Sequence, residues 1–210
     1  MSILLIFENK NVEPWEKALK EKLPNTTIEV YPNIKDKDVV DFVICWKPIK
    51  NVFEQFPNIK VIQSVGAAVD HITSTQTINN NSTITRIVDE RLSNDMWEFL
   101  LAIVLSELKN TRTYLKQQAQ NAWKQQDYRT INDMTISILG LGKIGGYVAE
   151  KFAQIGFKVK GWSNSKKQIS KVTSYDGENE FDSFLTNSNF LINLLPLTDQ
   201  TKGILNKKTF

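Results

Sequence analysis

Met134-Thr-Ile-Ser-Ile-Leu139 runs directly into Gly140-Leu-Gly142-Lys-Ile-Gly145, and the reading of this stretch decides the fold. The first six residues form an apolar run of strand length. The next six carry the G-x-G-x-x-G spacing, which is weak evidence when it stands alone. Here its context is complete. Gly146-Tyr-Val-Ala-Glu-Lys-Phe-Ala-Gln154 reads as a helix, and Gly156-Phe-Lys-Val-Lys-Gly-Trp162 as the next strand. A physical reason attaches to each glycine. Gly140 permits the tight turn, Gly142 lets a pyrophosphate approach the backbone, and Gly145 allows close helix–strand packing. The helix N-terminus behind the loop presents free N–H groups and a favourable dipole to an anion. A glycine-rich turn with no nucleotide is the competing reading, and the full strand–loop–helix–strand context favours the dinucleotide. Gly140, Leu141, Gly142, Lys143, Ile144 and Gly145 are therefore candidate cofactor-binding residues.

The end of the second strand selects the cofactor. An NAD site places Asp or Glu there to hold the ribose 2′-hydroxyl. This chain has Trp162-Ser-Asn-Ser-Lys-Lys167 instead. Ser163, Asn164, Ser165, Lys166 and Lys167 offer donors to a 2′-phosphate, and the segment has no carboxylate to repel one. The expectation is NADP (NADPH) favoured over NAD. The alternative is that Lys166 and Lys167 only solvate a surface turn, since no arginine is present to grip the phosphate.

Outward from this loop, strands and helices alternate as in a parallel-sheet α/β protein. Strands are expected at Ser2–Phe7, Thr27–Tyr31, Phe42–Trp46, Lys60–Ser64 and Asn189–Leu194, with helices at Trp15–Leu23 and Phe53–Phe56. Ser93-Asn94-Asp95 supplies N-cap chemistry for a long helix running to about Tyr114. Its apolar residues Trp97, Leu100, Leu101, Val104, Leu105 and Leu108 recur close to helical spacing. These features divide the chain into residues 1–93 and 94–210.

Composition narrows the chemistry. The chain of 210 residues is 41% hydrophobic and 23% charged, as an ordinary globular protein is. A net charge of +3 is too weak to suggest nucleic acid. No apolar run is long enough to span a bilayer, and the amino terminus lacks the features of an export signal. One cysteine and one histidine exclude a Cys/His zinc site and an internal disulfide within these residues, and fit a reducing cytoplasm. Cys45 lies in an apolar run, where a buried hydrophobe is its expected role. His71 reads as a surface or helix-start residue, Arg86 and Arg91 as surface or interdomain charges, and Asp89 with Arg91 as a weak exposed pair.

Gly140 to Lys167, followed by Leu191-Ile-Asn-Leu-Leu-Pro-Leu-Thr-Asp-Gln-Thr-Lys-Gly-Ile-Leu-Asn206, resembles the D-isomer-specific 2-hydroxyacid dehydrogenases, and within them the glyoxylate/hydroxypyruvate reductase A group. Val43-Ile-Cys-Trp-Lys-Pro48, Gln63-Ser-Val-Gly-Ala-Ala-Val-Asp70 and Met96-Trp-Glu98 extend the likeness to the amino-terminal half. The resemblance implies a flavodoxin-like substrate domain over 1–93 and a Rossmann dinucleotide-binding domain over 94–210. It implies hydride transfer from a nicotinamide to a small 2-oxo acid, glyoxylate or hydroxypyruvate, with no metal and with homodimers in the intact family.

Carried over residue by residue, the carboxylate loop is Val65, Gly66 and Ala67, with Ala68 where the family usually has glycine. Trp46 is either a cleft residue or a core aromatic at a strand end. Leu195 and Pro196 fall on the cofactor side. The family's arginine, glutamate and histidine, which handle the keto group and the proton, fall beyond Phe210, so no catalytic residue is assigned. The resemblance thus implies a C-terminally truncated member with an incomplete Rossmann sheet and an exposed strand Asn189–Leu194, inactive alone. A non-catalytic NADP(H)-binding or subunit-pairing module is the alternative.

Overall fold

Ser2–Phe7 (β1) is apolar at nearly every position, the pattern of a parallel strand covered on both faces. The computed structural model describes residues 2–209, and it divides into two units, Met1–Val88 and Asp89–Phe210. In the first, β1 is followed by α1 (Glu13–Lys22), β2 (Thr27–Val30), β3 (Phe42–Trp46), β4 (Val61–Ser64), α2 (Asp70–Thr73) and β5 (Thr83–Arg86). The strands pair in parallel in the order β2-β1-β3-β4-β5, the flavodoxin-like arrangement. Side chains alternate across this sheet. Leu4, Ile6, Val43, Cys45 and Ile62 pack with Phe53 and Ile72 on one face, while Ile3, Leu5 and Ile44 pack with Trp15 and Leu19 of α1 on the other.

The second unit contains α3 (Glu90–Leu108), α4 (Thr111–Ala119), β6 (Thr135–Leu139), α5 (Lys143–Gln154), β7 (Lys158–Ser163), β8 (Val172–Asp176), α6 (Phe181–Leu185) and β9 (Phe190–Asn193). Its four strands are parallel, in the order β8-β7-β6-β9. On one face Ile136, Ile138 and Val159 meet Val148 and Phe152 of α5 and Val104 and Leu108 of α3. On the other, Leu139 and Trp162 pack with Phe184. Phe152 is fully buried and meets Phe157 edge-on at 5.4 Å; its truncation to alanine would cost about 3–5 kcal/mol.

The long helix differs from its expected bounds at both ends. It starts at Glu90, not beside Ser93-Asn94-Asp95, because the Asp89 side chain accepts the Arg91 backbone N–H at 2.9 Å and caps it. Asp89 is thus a helix cap and not half of an exposed ion pair with Arg91. The helix stops at Leu108, where Asn110 adopts a left-handed conformation (φ 55°), and α4 starts afresh at Thr111 instead of one helix reaching Tyr114. Such conformations suit asparagine better than most residues. The short elements α2, β5, β8 and α6 are too brief or too polar to announce themselves by periodicity. Among the described residues, no helix is long and apolar enough to cross a membrane.

Candidate dinucleotide site and carboxylate loop

Three strand ends of the second unit converge on the glycine loop. Gly140 N–H donates to the Trp162 carbonyl at 2.8 Å, and Leu194 N–H donates to the Leu139 carbonyl at 2.8 Å. Gly140 has φ +96°, and a Cβ there would press to 3.0 Å against the Leu194 carbonyl group and 3.1 Å against the Leu195 nitrogen. Glycine is thus required both by the turn and by the chain end of β9 lying against it. The crossing from β6 to β9 on one side and to β7 on the other makes this the switch point of the sheet.

Gly142 is open where Gly140 is crowded: a Cβ on it would meet nothing within 4 Å. It caps α5 with its own carbonyl, which accepts Gly146 N–H at 2.8 Å. The N–H groups of Lys143, Ile144 and Gly145 consequently have no acceptor within the helix. Gly145 is buried against Gly140, and Leu141 is buried over Gly161, whose missing side chain leaves it room. Gly161 escaped the sequence reading, although a glycine within a strand is a sign of close approach. An open cradle backed by unpaired amides fits a dinucleotide pyrophosphate.

At the end of β7, Ser163 is buried and its hydroxyl donates to the Ser165 carbonyl at 2.8 Å. Lys167 Nζ donates to Ser165 Oγ at 2.9 Å, and its backbone N–H to Ser174 Oγ at 3.0 Å. Asn164, Ser165, Lys166 and Lys167 are exposed. The expectation that no carboxylate is available here needs correcting, since the neighbouring strand and the turn after it bring two. Lys166 Nζ lies 3.9 Å from Asp176 Oδ1 and 3.7 Å from Glu180 Oε1. Local sequence cannot reveal this, because the carboxylates come from β8 and the turn after it. Leu195 is half-buried, its N–H donating to Asn193 Oδ1 at 3.1 Å; Pro196 is exposed, with its carbonyl accepting Thr201 Oγ1.

In the first unit, Val65, Gly66 and Ala67 follow β4 directly. Val65 is buried and Gly66 half-buried. A Cβ on Gly66 would come to 2.7 Å from Trp46 Cζ3, so glycine is fixed here by the indole. Ser64 ties the loop together: its hydroxyl donates to the Ala68 carbonyl at 2.9 Å and accepts Gly66 N–H at 3.1 Å. Trp46 is half-buried, with its ring 5.1 Å from that of His71 and Lys10 and Lys47 over it at 5.2 and 5.8 Å.

His71 lies in the first turn of α2, as the helix-start reading expects, and it is half-buried instead of free. Its ring packs against Trp46 at a tilt of 49°, with Nε2 3.4 Å from Ser64 Oγ, and burial, aided by Lys47, lowers its pKa against the pull of Asp70. Arg86 also has a more definite place than a surface charge, its guanidinium donating to the Ala67 carbonyl at 3.0 Å. Cys45 is fully buried, and burial pushes its thiol up to about 12. Among the described residues, no group of His, Cys, Asp and Glu is placed to hold a metal ion.

A parallel sheet whose switch point carries this glycine loop defines a Rossmann-type dinucleotide-binding domain. Residues 101–210 match the family described as D-isomer specific 2-hydroxyacid dehydrogenase, NAD binding domain. The whole chain is 32% identical to the glyoxylate/hydroxypyruvate reductase A of Yersinia enterocolitica and covers 68% of that protein. Among solved structures, it is similar to the NADPH-dependent glyoxylate/hydroxypyruvate reductase of Sinorhizobium meliloti in complex with NADP and sulfate (TM-score 0.89, 31% identity, 99% of this chain and 66% of that one). It is equally similar in fold to a D-isomer specific 2-hydroxyacid dehydrogenase of Xanthobacter autotrophicus Py2 in complex with NADPH and MES (TM-score 0.89, 27% identity, 99% of this chain and 67% of that one). The chain belongs to the D-isomer-specific 2-hydroxyacid dehydrogenase family.

Proposed function

We infer that this chain supplies the cofactor site and the carboxylate loop for NADPH-dependent reduction of a small 2-oxo acid, glyoxylate or hydroxypyruvate, to the 2-hydroxy acid. The carrying observation is the open cradle at Gly142 in front of the unpaired amides of Lys143, Ile144 and Gly145. When bound, a nicotinamide dinucleotide supplies the hydride. The chain's own residues bind and orient. The α5 amides receive the pyrophosphate; Leu141 supports the loop from the core over Gly161, and Leu195 lies half-buried at the chain end of β9. The turn Ser163–Lys167 receives the ribose end, its two lysines supporting NADPH over NADH.

In the first unit, the loop Val65, Gly66 and Ala67 receives the substrate carboxylate, chiefly at Ala67 N–H, because Val65 N–H donates to the Cys45 carbonyl at 3.2 Å and Gly66 N–H to Ser64 Oγ at 3.1 Å; Arg86 holds the Ala67 carbonyl. Proton delivery is a separate matter. The only histidine of the sequence, His71, is occupied by Trp46 and Ser64. We assign no proton-delivering role to His71, and the role given to these residues is to bind and orient.

Fluorescence titration of the full chain with NADPH and NADH tests this reading. Saturable binding that is tighter for NADPH, and lost on Gly142→Ala, is the expected result. Absence of binding to either cofactor would overturn it. Glyoxylate turnover by the purified 210-residue chain, abolished by the same substitution, would overturn the reading of these residues as binding and orienting only.

A further inference from the structure

The lysine assigned to the ribose phosphate is already engaged. Asp176 is the Cα partner of Ser163 in the parallel β7–β8 ladder, so it stands one strand away from the position where an NAD site carries its carboxylate. Partners in a ladder project to the same face of the sheet. Glu180 is locked beside it: Glu180 Oε2 accepts the Asp176 backbone N–H at 2.8 Å, and that bond holds its carboxyl below the usual range. Between them, Gly177 (φ 65°) turns the chain, and its carbonyl accepts Trp162 Nε1 at 2.8 Å. The turn is thus anchored to the buried end of β7. Both carboxylates lie within 4 Å of the Lys166 ammonium, while Lys167 Nζ is bonded to Ser165 Oγ.

We propose that Asp176 and Glu180 set the choice between NADPH and NADH by competing with the cofactor's 2′-phosphate for Lys166. The proposal rests on the reading of the Ser163–Lys167 turn as the 2′-phosphate site. A 2′-phosphate must draw Lys166 away from both carboxylates, whereas a 2′-hydroxyl makes no such demand. The carboxylates therefore lower affinity for the phosphorylated cofactor alone. The contacts are long and solvent-exposed, so each is worth about a 1.5- to 5-fold change in affinity. Removing both charges should yield about three- to ten-fold.

The test is calorimetric titration of the full chain with 2′,5′-ADP and with 5′-AMP, which differ by the 2′-phosphate alone. Wild type is compared with Asp176→Asn/Glu180→Gln, with Lys166→Met, and with all three substitutions together. The double variant should bind 2′,5′-ADP about three- to ten-fold tighter, with 5′-AMP unchanged and the gain reduced by high salt. That gain should vanish in the Lys166→Met background, as coupling through the lysine requires. Unchanged or weaker 2′,5′-ADP binding would overturn the proposal, as would an equal gain for 5′-AMP or a full gain without Lys166. If wild type itself fails to prefer 2′,5′-ADP, the 2′-phosphate reading falls and takes this proposal with it. If wild type prefers it and the variants do not differ, only the competition falls. Should the double variant not fold, Asp176→Asn alone decides by the same criteria.

Discussion

The carbonyl oxygen of Gly140 occupies the space that a side chain on Gly145 would need, whereas Gly142, between them, faces open space. The glycines of one motif therefore fail differently when substituted. Gly145→Ala drives the new Cβ into the Gly140 backbone carbonyl, and overpacking of this kind costs about 1–3 kcal/mol or more. It should lower the denaturation midpoint and cofactor affinity together. Gly142 has φ −74° and ψ −162°, extended backbone open to any residue, and it is exposed. Gly142→Ala should leave stability within about 0.5 kcal/mol of wild type while weakening NADPH at least about ten-fold. Thermal unfolding and NADPH titration of both variants check the contrast; equal loss of stability would refute it.

Cofactor choice is most directly probed at Ser163. Replacing it by Asp adds a carboxylate at the β7 end, directly beside its ladder partner Asp176. Like charges opposite each other in a sheet cost about 0.2–1 kcal/mol, so a small loss of stability is expected. The larger effect falls on the cofactor: Ser163→Asp should weaken NADPH by at least about ten-fold and leave NADH unweakened. The ratio of the two dissociation constants is the measurement. Equal binding of both cofactors before and after the substitution would exclude the role given to this turn.

These two cases mark how far the sequence could be read. The glycine loop was legible because strand, turn and helix are contiguous, and each glycine's role follows from local geometry. The parallel strands Ser2–Phe7 and Phe42–Trp46 were legible as continuous apolar runs. Asp176 and Glu180 were not, since only sheet register carries them to Lys166 from another strand. The partners of Arg86 and His71, Ala67 and Trp46, were hidden for the same reason: they lie 19 and 25 residues away along the chain. The start of α3 was misplaced because Ser93, Asn94, Asp95 and Asp89 are all good caps by type, and only the bond from Arg91 N–H distinguishes Asp89.

Acid sensitivity should have a component from His71. Burial beside Trp46 is the main cause that holds its pKa below the usual value of 6.5 in the folded chain. The unfolded chain then binds more protons, so this residue's contribution is complete above about pH 6.5 and is lost as pH falls through the lowered folded value. Urea midpoints should decline from about pH 7 towards about pH 5, and His71→Gln should flatten that interval. Asp133 and Glu180, with pKa values lowered chiefly by hydrogen bonds from Thr130 and from the Asp176 backbone, act only below their ordinary values of 3.8 and 4.5. A decline over the same interval that survives His71→Gln unchanged would locate the sensitivity elsewhere.

Cys45 offers a clean readout of the first unit. It sits on β3 between β1 and β4, with its side chain wholly buried among Leu4, Ile6, Val43 and Ile62. Only the thiolate reacts, and burial pushes this thiol up to about 12, so at neutral pH both access and ionisation oppose attack. A maleimide reagent should therefore leave the native chain unlabelled and modify it only through opening of the first unit. The labelling rate should rise with urea in step with loss of the far-ultraviolet circular dichroism signal. Rapid labelling in native buffer, at the rate of a free thiol, would contradict the buried position.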